Sequence, residues 1–301
     1  MVDYIPNYEL LQVHELMLSD SVRVQNFKDA IYKNVHKGYV VLDMGAGTGI
    51  LSFFAVQAGA SKVYAIEPTK TIALARDIAR KNNLEDKIIF INSDIKSAKI
   101  PEQVDCIISE WMGIFGLQEN LLPNVAYARK NFLKENGIIL PNEVKLFLVP
   151  IENQELHYQY ICRWNDFYGF DFSPFALQQS KEIILSDISI DAFLSIPTSI
   201  ITIDVENDFS SEYNLEIEYQ TQRKGLCHGF AGWFQANFYG DISLDTSPNK
   251  SLTHWQQRYL PIINPVEVDN QDTIRVNLSS KVDCYNERKV LFQTKILGGL
   301  K

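Results

Sequence analysis

The segment VVLDMGAGTGILSFFAVQAGA, Val40 to Ala60, constrains the fold more than any other part of the chain. An apolar run of strand length ends on a glycine-rich turn, and the turn runs directly into a stretch of helical length. Glycine in such a turn lets the backbone approach a ligand closely. The unit then recurs in kind. SKVYAIEP reads as a strand with an acid at its end, TKTIALARDIARKNN as a helix, and KIIFINSD and VDCIISEW as the third and fourth strands. NVAYARKNFLKENG reads as a helix with Gly137 as its C-cap residue, after which IIL begins a fifth strand. Strands alternating with helices predict an α/β domain built on a parallel, doubly wound sheet. Residues 9 to 36 precede it as helix.

Near Pro141 the character changes. From about residue 144 the segments are short and alternating: VKLFLVPI, SIITIDV, YNLEIEYQT, HGFAGWFQANFY, TIRVNLSSKV and KVLFQTKIL. They predict an antiparallel β domain, barrel or sandwich. ELHYQYICRWNDFYGFDFSPFAL interrupts it, rich in aromatics and cleanly neither strand nor helix. The expected division is residues 1–143 and 144–301, with the interruption at about 156–185.

The turn after the first strand holds Asp43, Gly45, Gly47 and Gly49. A glycine loop alone suits a dinucleotide, a phosphate or another nucleoside. Asp43 would repel pyrophosphate and attract an ammonium group. Glu67 ends the second strand, 22 residues after Gly45, where a carboxylate can grip both ribose hydroxyls. Asp94, ending the third strand, can accept from an adenine amino group. Such an arrangement fits a nucleoside without phosphate and with a cationic amino-acid tail. S-adenosyl-L-methionine has that composition, with an NAD site as the competing reading.

After the fourth strand, SEWMGIFGLQENLL places Glu110 and Glu119 nine positions apart in an apolar setting. Burying two carboxylates there is costly unless a cation meets them. They could bind a metal, but no nearby His or Asp completes a ligand set. They could do acid/base work on a sugar. They could clamp a planar guanidinium, whose five donors form a fork. Taken alone, they could also cap a turn and face solvent.

Composition bears on the partner. The net charge is −9 with a pI of about 5.1, which argues against direct nucleic-acid binding and suits a cationic partner. The four cysteines form no CxxC pair, so neither a zinc site nor a redox motif is signalled and no metal is expected. The N-terminus lacks the basic start and apolar core of a signal peptide, and no run approaches the ~18 apolar residues of a membrane span. A reducing cytoplasmic compartment is expected, with the nucleus open to a eukaryotic protein.

Together these segments resemble the protein arginine methyltransferases. SEWMG with a second Glu nine positions after the first is similar to that family's double-glutamate loop. YIPNY with a later His14 resembles its N-terminal cap, and HELMLSDSVR its second helix. VLDMGAGTGILS resembles its methyl-donor loop, LTHWQQ its barrel-borne THW loop, and WNDFYGFDFS its dimerisation arm. The resemblance spans essentially the whole chain. It implies a Rossmann-like methyltransferase domain followed by a β-barrel-like domain, and a homodimer formed through the arm Trp164–Phe175.

It also implies roles. Arg23 would hold the donor's carboxylate, with His14, Gly45, Gly47 and Ile95 in the same pocket. Glu67 would bind the ribose, and Tyr4 and Tyr8 would close as a lid. Glu110 and Glu119 would fix the substrate guanidinium. Asp20 and His254 would pair across the site, and His254 with Trp255 would wall the arginine channel. Met17 and Met112 would lie beside the acceptor. Three positions depart from the common pattern: Ile114 stands for Tyr, Leu121 for Met, and Lys96 for a Glu that contacts adenine, with Asp94 as its substitute. The implied reaction methylates arginine in a protein or peptide, giving mono- and asymmetric dimethylarginine with S-adenosyl-L-homocysteine as by-product. Monomethylating, symmetric-dimethylating, small-molecule-guanidine and non-catalytic readings are the alternatives.

Overall fold

A computed structural model of the chain describes residues 7–207, 209–210, 212–284 and 290–300, the last segment as backbone alone. Tyr4 lies outside the described residues. Five strands form a parallel sheet: β1 (Val40–Met44), β2 (Lys62–Ile66), β3 (Ile88–Ile91), β4 (Val104–Ile108) and β5 (Leu133–Leu140), in the order β3-β2-β1-β4-β5. Helices α3 (Ile50–Ala58), α4 (Thr71–Lys81) and α5 (Leu122–Phe132) connect them. β1 and β2 each bury four of their five residues, which is why they read as continuous apolar runs rather than as alternation. Strand order reverses between β1 and β4, and a crevice opens at their carboxyl ends.

The expected helix over 9–36 is two helices, α1 (Leu11–Ser19) and α2 (Ser21–Asn34). Asp20 breaks them. Its backbone is extended, and its carboxylate accepts the Arg23 N–H at 2.9 Å as the N-cap of α2. The expected C-cap at Gly137 is also corrected. α5 ends at Phe132, and Gly137 lies inside β5, where Ile138, Ile139 and Leu140 pair with Cys106, Ile107 and Ile108 of β4. Sheet pairing overrides the helical pattern of LKENG.

The second half is antiparallel. Strands β6 (Glu143–Ile151), β7 (Ile184–Ser186), β8 (Thr198–Asp204), β10 (Gly225–Phe238) and β12 (Gln257–Val268) run in the order β7-β12-β10-β6-β8, with β11 (Ile242–Asp245) on β10. Strands β9 (Tyr213–Gln220), β13 (Thr273–Val282) and β14 (Val290–Leu300) form a second sheet. β12 has no counterpart among the expected strands because it carries Pro261 and Pro265, which forfeit ladder donors. Pro261 faces Gly229 where the register shifts between Cys227 and Gly229, so the irregularity absorbs the missing N–H.

The interruption is an arm of α6 (Gln154–Tyr160), a 3₁₀ turn and α7 (Ser173–Gln179). Trp164 holds its tip together, with ring centroids 4.7 Å from Phe167 and 4.4 Å from Phe175. Tyr168 and Phe170 remain 86% and 67% exposed. No helix among the described residues is long and apolar enough to cross a membrane.

Candidate active site at the sheet crevice

A cavity of about 550 Å³ occupies the crevice. The glycine loop floors it, Glu67 and Asp94 stand at its strand ends, and His14, Met17 and Arg23 reach it from α1 and α2. Gly45, Gly47 and Gly49 have φ of +78°, +52° and +86°, a region that other residues rarely adopt. Glu67 is fixed from two sides: Gly47 N–H donates to Oε2 at 3.0 Å and Thr69 N–H to Oε1 at 2.9 Å. Each oxygen keeps a further lone pair. His14 Nε2 donates to the Tyr8 carbonyl at 2.8 Å, and the Thr71 hydroxyl donates to the same carbonyl at 3.2 Å.

Arg23 is buried. Its guanidinium donates to Glu110 Oε2 and to the Met17 carbonyl, both at 3.3 Å, while its Nε is buried with no partner among the described residues. Asp94 lies on the exposed rim, and hydrogen bonds from Ser97 and Lys96 hold its carboxyl below the usual range. Ile95 beside it is buried and lines the cavity.

Asp43 differs from expectation. It does not line the cavity. Its side chain is fully buried, and Oδ2 accepts the Ser52 hydroxyl of α3 at 2.6 Å. Successive strand side chains point to opposite faces, and Met44 takes the cavity side. Burial pushes the Asp43 carboxyl up to about 6 against the lowering hydrogen bonds from Ser52.

Glu119 stands on the other flank, 2% exposed, and the Tyr8 hydroxyl donates to its two oxygens at 3.0 and 2.9 Å. It presses on Gly113, where a Cβ would stand 2.9 Å from Glu119 Cγ. Asp20 and His254, 234 positions apart, meet here: Asp20 Oδ2 accepts from His254 N at 2.9 Å and lies 2.7 Å from His254 Nδ1. Burial raises the Asp20 carboxyl, but hydrogen bonds from the His254 ring and from the Arg23 and His254 N–H groups bring it net below its ordinary value. His254 and Trp255 rings lie 4.0 Å apart, and Trp255 meets Phe234 edge-on at 5.2 Å. Trp255 and Met112 are 4% and 0% exposed, so they back the site from the core. Met17 and Leu121 both line the same cavity as the glycine loop. Ser109, the first residue of SEWMG, donates its hydroxyl to the Met44 carbonyl at 2.9 Å, and Thr71 belongs to the site without any local motif marking it. Among the described residues, no three His, Cys, Asp or Glu side chains gather as a metal site.

Residues 142–294 match the family pattern described as the arginine methyltransferase oligomerization subdomain, and residues 9–147 match a TRM5/TYW2 methyltransferase domain. A relative from Xenopus laevis named protein arginine N-methyltransferase 6 is 38% identical, covering 99% of this chain and 93% of its own. A rice (Oryza sativa subsp. indica) relative named probable protein arginine N-methyltransferase 6.1 is 34% identical, covering 90% of this chain and 81% of its own. Among solved structures, the Trypanosoma brucei PRMT1 enzyme–prozyme heterotetrameric complex with AdoHcy superposes with a TM-score of 0.91 at 27% identity, over 97% of this chain and 94% of that one. Arabidopsis thaliana protein arginine methyltransferase 10 superposes with a TM-score of 0.84 at 28% identity, over 97% and 99%.

Proposed function

The chain belongs to the protein arginine methyltransferase family, and on that premise we propose how its residues divide the work. It is an S-adenosylmethionine-dependent enzyme that methylates arginine in proteins and leaves S-adenosylhomocysteine. The cavity suits that donor in size and donor set: the unpartnered buried Nε of Arg23, the braced carboxylate of Glu67 and an apolar wall at Ile95. Arg23 would hold the carboxylate end, Glu67 the ribose hydroxyls, and Asp94 with Ile95 the adenine, while His14 and the loop at Gly45 and Gly47 close the sides. When bound, the donor supplies an electrophilic methyl group on a sulfonium sulfur.

Arginine is a poor nucleophile, because its lone pairs are delocalised and it stays protonated, with a pKa above ~12. Glu110 and Glu119 address both problems. They orient the guanidinium, and orientation alone contributes several kcal/mol in well-placed reactions, on the order of 7 or more. They also draw positive charge away from the attacking nitrogen. The released proton has two acceptors at the site, Glu119 and the Asp20–His254 pair. The observation that carries this reading is Glu119 itself, a carboxylate 2% exposed at the end of the apolar loop, with both oxygens accepting from the Tyr8 hydroxyl.

The product we propose is mono- and asymmetric dimethylarginine, since Met17 and Leu121 wall the donor cavity. A homodimer joined by the arm is proposed from its exposed aromatics. Cytoplasmic residence is proposed from four free cysteines. Mass spectrometry of an arginine-containing peptide library incubated with isotopically labelled donor tests the activity and product. Labelled mono- and asymmetric dimethylarginine are expected, and a library carrying symmetric dimethylarginine overturns the product assignment.

A further inference from the structure

We propose that Arg258 is a positioning residue that sets the Glu119 carboxylate from the antiparallel sheet, an inference that rests on reading Glu119 as half of the guanidinium clamp. The loop between β4 and α5 has no regular structure across its clamp residues, and Gly113, Gly116 and Asn120 take φ of +51°, +65° and +48°. Contacts therefore fix its shape, and three consecutive residues are held by three strands of the other sheet. Phe115, fully buried, lies over Gly232 of β10, where a Cβ would stand 2.8 Å from its ring. Gly116 approaches Leu146 of β6 too closely to admit a Cβ. Arg258 of β12, 6% exposed, donates Nε–H to the Ile114 carbonyl at 2.9 Å.

The first two contacts are apolar and tolerate sliding. The third is directional and comes from a buried cation. The carbonyl it holds is one peptide from Gly113, against which the Glu119 stem is pressed. Displacing the 114–115 peptide, whose carbonyl Arg258 holds, carries the adjoining Gly113 with it and so displaces the surface on which Glu119 rests. Misplacing a reacting group by 1 Å costs on the order of 100-fold in rate. Arg258 does not line the donor cavity, so its effect separates from donor binding.

Two substitutions probe the hydrogen bond from Nε. Gln carries an amide nitrogen at the same side-chain position as the arginine Nε, whereas Met fills similar space without a donor. Initial rates on an arginine peptide, S-adenosylhomocysteine affinity by calorimetry and thermal unfolding would be measured on each variant. Arg258→Met is expected to lower kcat by about tenfold or more while product affinity stays within about twofold. Arg258→Gln is expected to stay within about threefold of the parent. In a Glu119→Gln background, Arg258→Met should add less than about twofold, because the two residues act as one unit. A Met variant with parental kcat, a Met variant that also loses product affinity, or full multiplication in the Glu119→Gln background overturns the proposal. Should Arg258→Met fail to fold, Arg258→Lys carries the test: parental kcat in Lys with an impaired Gln variant assigns the effect to charge and overturns it. Failure of the clamp reading shows separately, as parental kcat in Glu119→Gln alone.

Discussion

Replacing Glu119 with Gln removes one charge and keeps the length and shape of the side chain. The Tyr8 hydroxyl can still donate to the amide oxygen, and the stem still packs on Gly113. What is lost is attraction to a cation in a pocket where the carboxylate is 2% exposed and solvent screens poorly. Two unit charges about 4 Å apart, at an effective permittivity near 20, interact by about 4 kcal/mol. The neutral hydrogen bond that an amide oxygen retains returns about 1 kcal/mol. The remaining loss of about 3 kcal/mol corresponds to about 100-fold in rate. Because Glu119 is not on the donor cavity wall, S-adenosylhomocysteine should bind Glu119→Gln as it binds the parent. Glu110→Gln should behave differently, since Glu110 lines that cavity and pairs with Arg23, and it should weaken donor binding as well as turnover. Turnover on an arginine peptide and calorimetric titration, run on the same preparations, check both. Turnover of Glu119→Gln within a few-fold of the parent, with product affinity intact, would refute the clamp.

Asp20→Asn keeps the helix cap but sets an amide donor against the His254 N–H, so melting should show a loss of about 2 kcal/mol and peptide methylation should fall about tenfold. An unchanged melting temperature would contradict the pairing. Asp43 gives a pH-dependent test. Its folded carboxyl is raised to about 6 from an ordinary 3.8, so the protonated form is favoured in the fold and stability declines as pH rises through that window. Asp43→Asn should therefore gain on the parent between about pH 4 and 6, reaching about 3 kcal/mol at neutral pH, and parallel melting curves would dismiss the effect. Deleting the arm tip should turn the expected dimer into a monomer by sedimentation, and an unchanged dimer would rule the arm out.

The floor of the cavity was legible because its residues are contiguous: a strand, three glycines at unusual φ and a helix leave few other folds for Val40–Ala60. Glu67 followed from the same logic one strand later. Other features depend on parts of the chain that meet only in three dimensions. Tyr8 and Glu119 are 111 positions apart, and Arg23 and Glu110 are 87 apart, so neither pairing has a local pattern. Asp43 was misread for a subtler reason. Its position before the loop is what a ligand contact requires, but strand alternation turns it under α3. β12 escaped notice because its prolines argue against an inner strand, and only the irregular register opposite Gly229 makes one tolerable. The helix break at Asp20 is a capping event hidden inside an unbroken helical pattern.

Tyr8 belongs to two chambers at once. Its carbonyl is tied to His14 and Thr71 beside the donor cavity, and its hydroxyl rests on Glu119 beside the acceptor. One residue therefore ties the wall of the cavity to the Glu119 carboxylate, through its own main chain on one side and its ring on the other. Displacing Tyr8 from either neighbour would disturb both, so Tyr8→Phe is a change felt in the two chambers together.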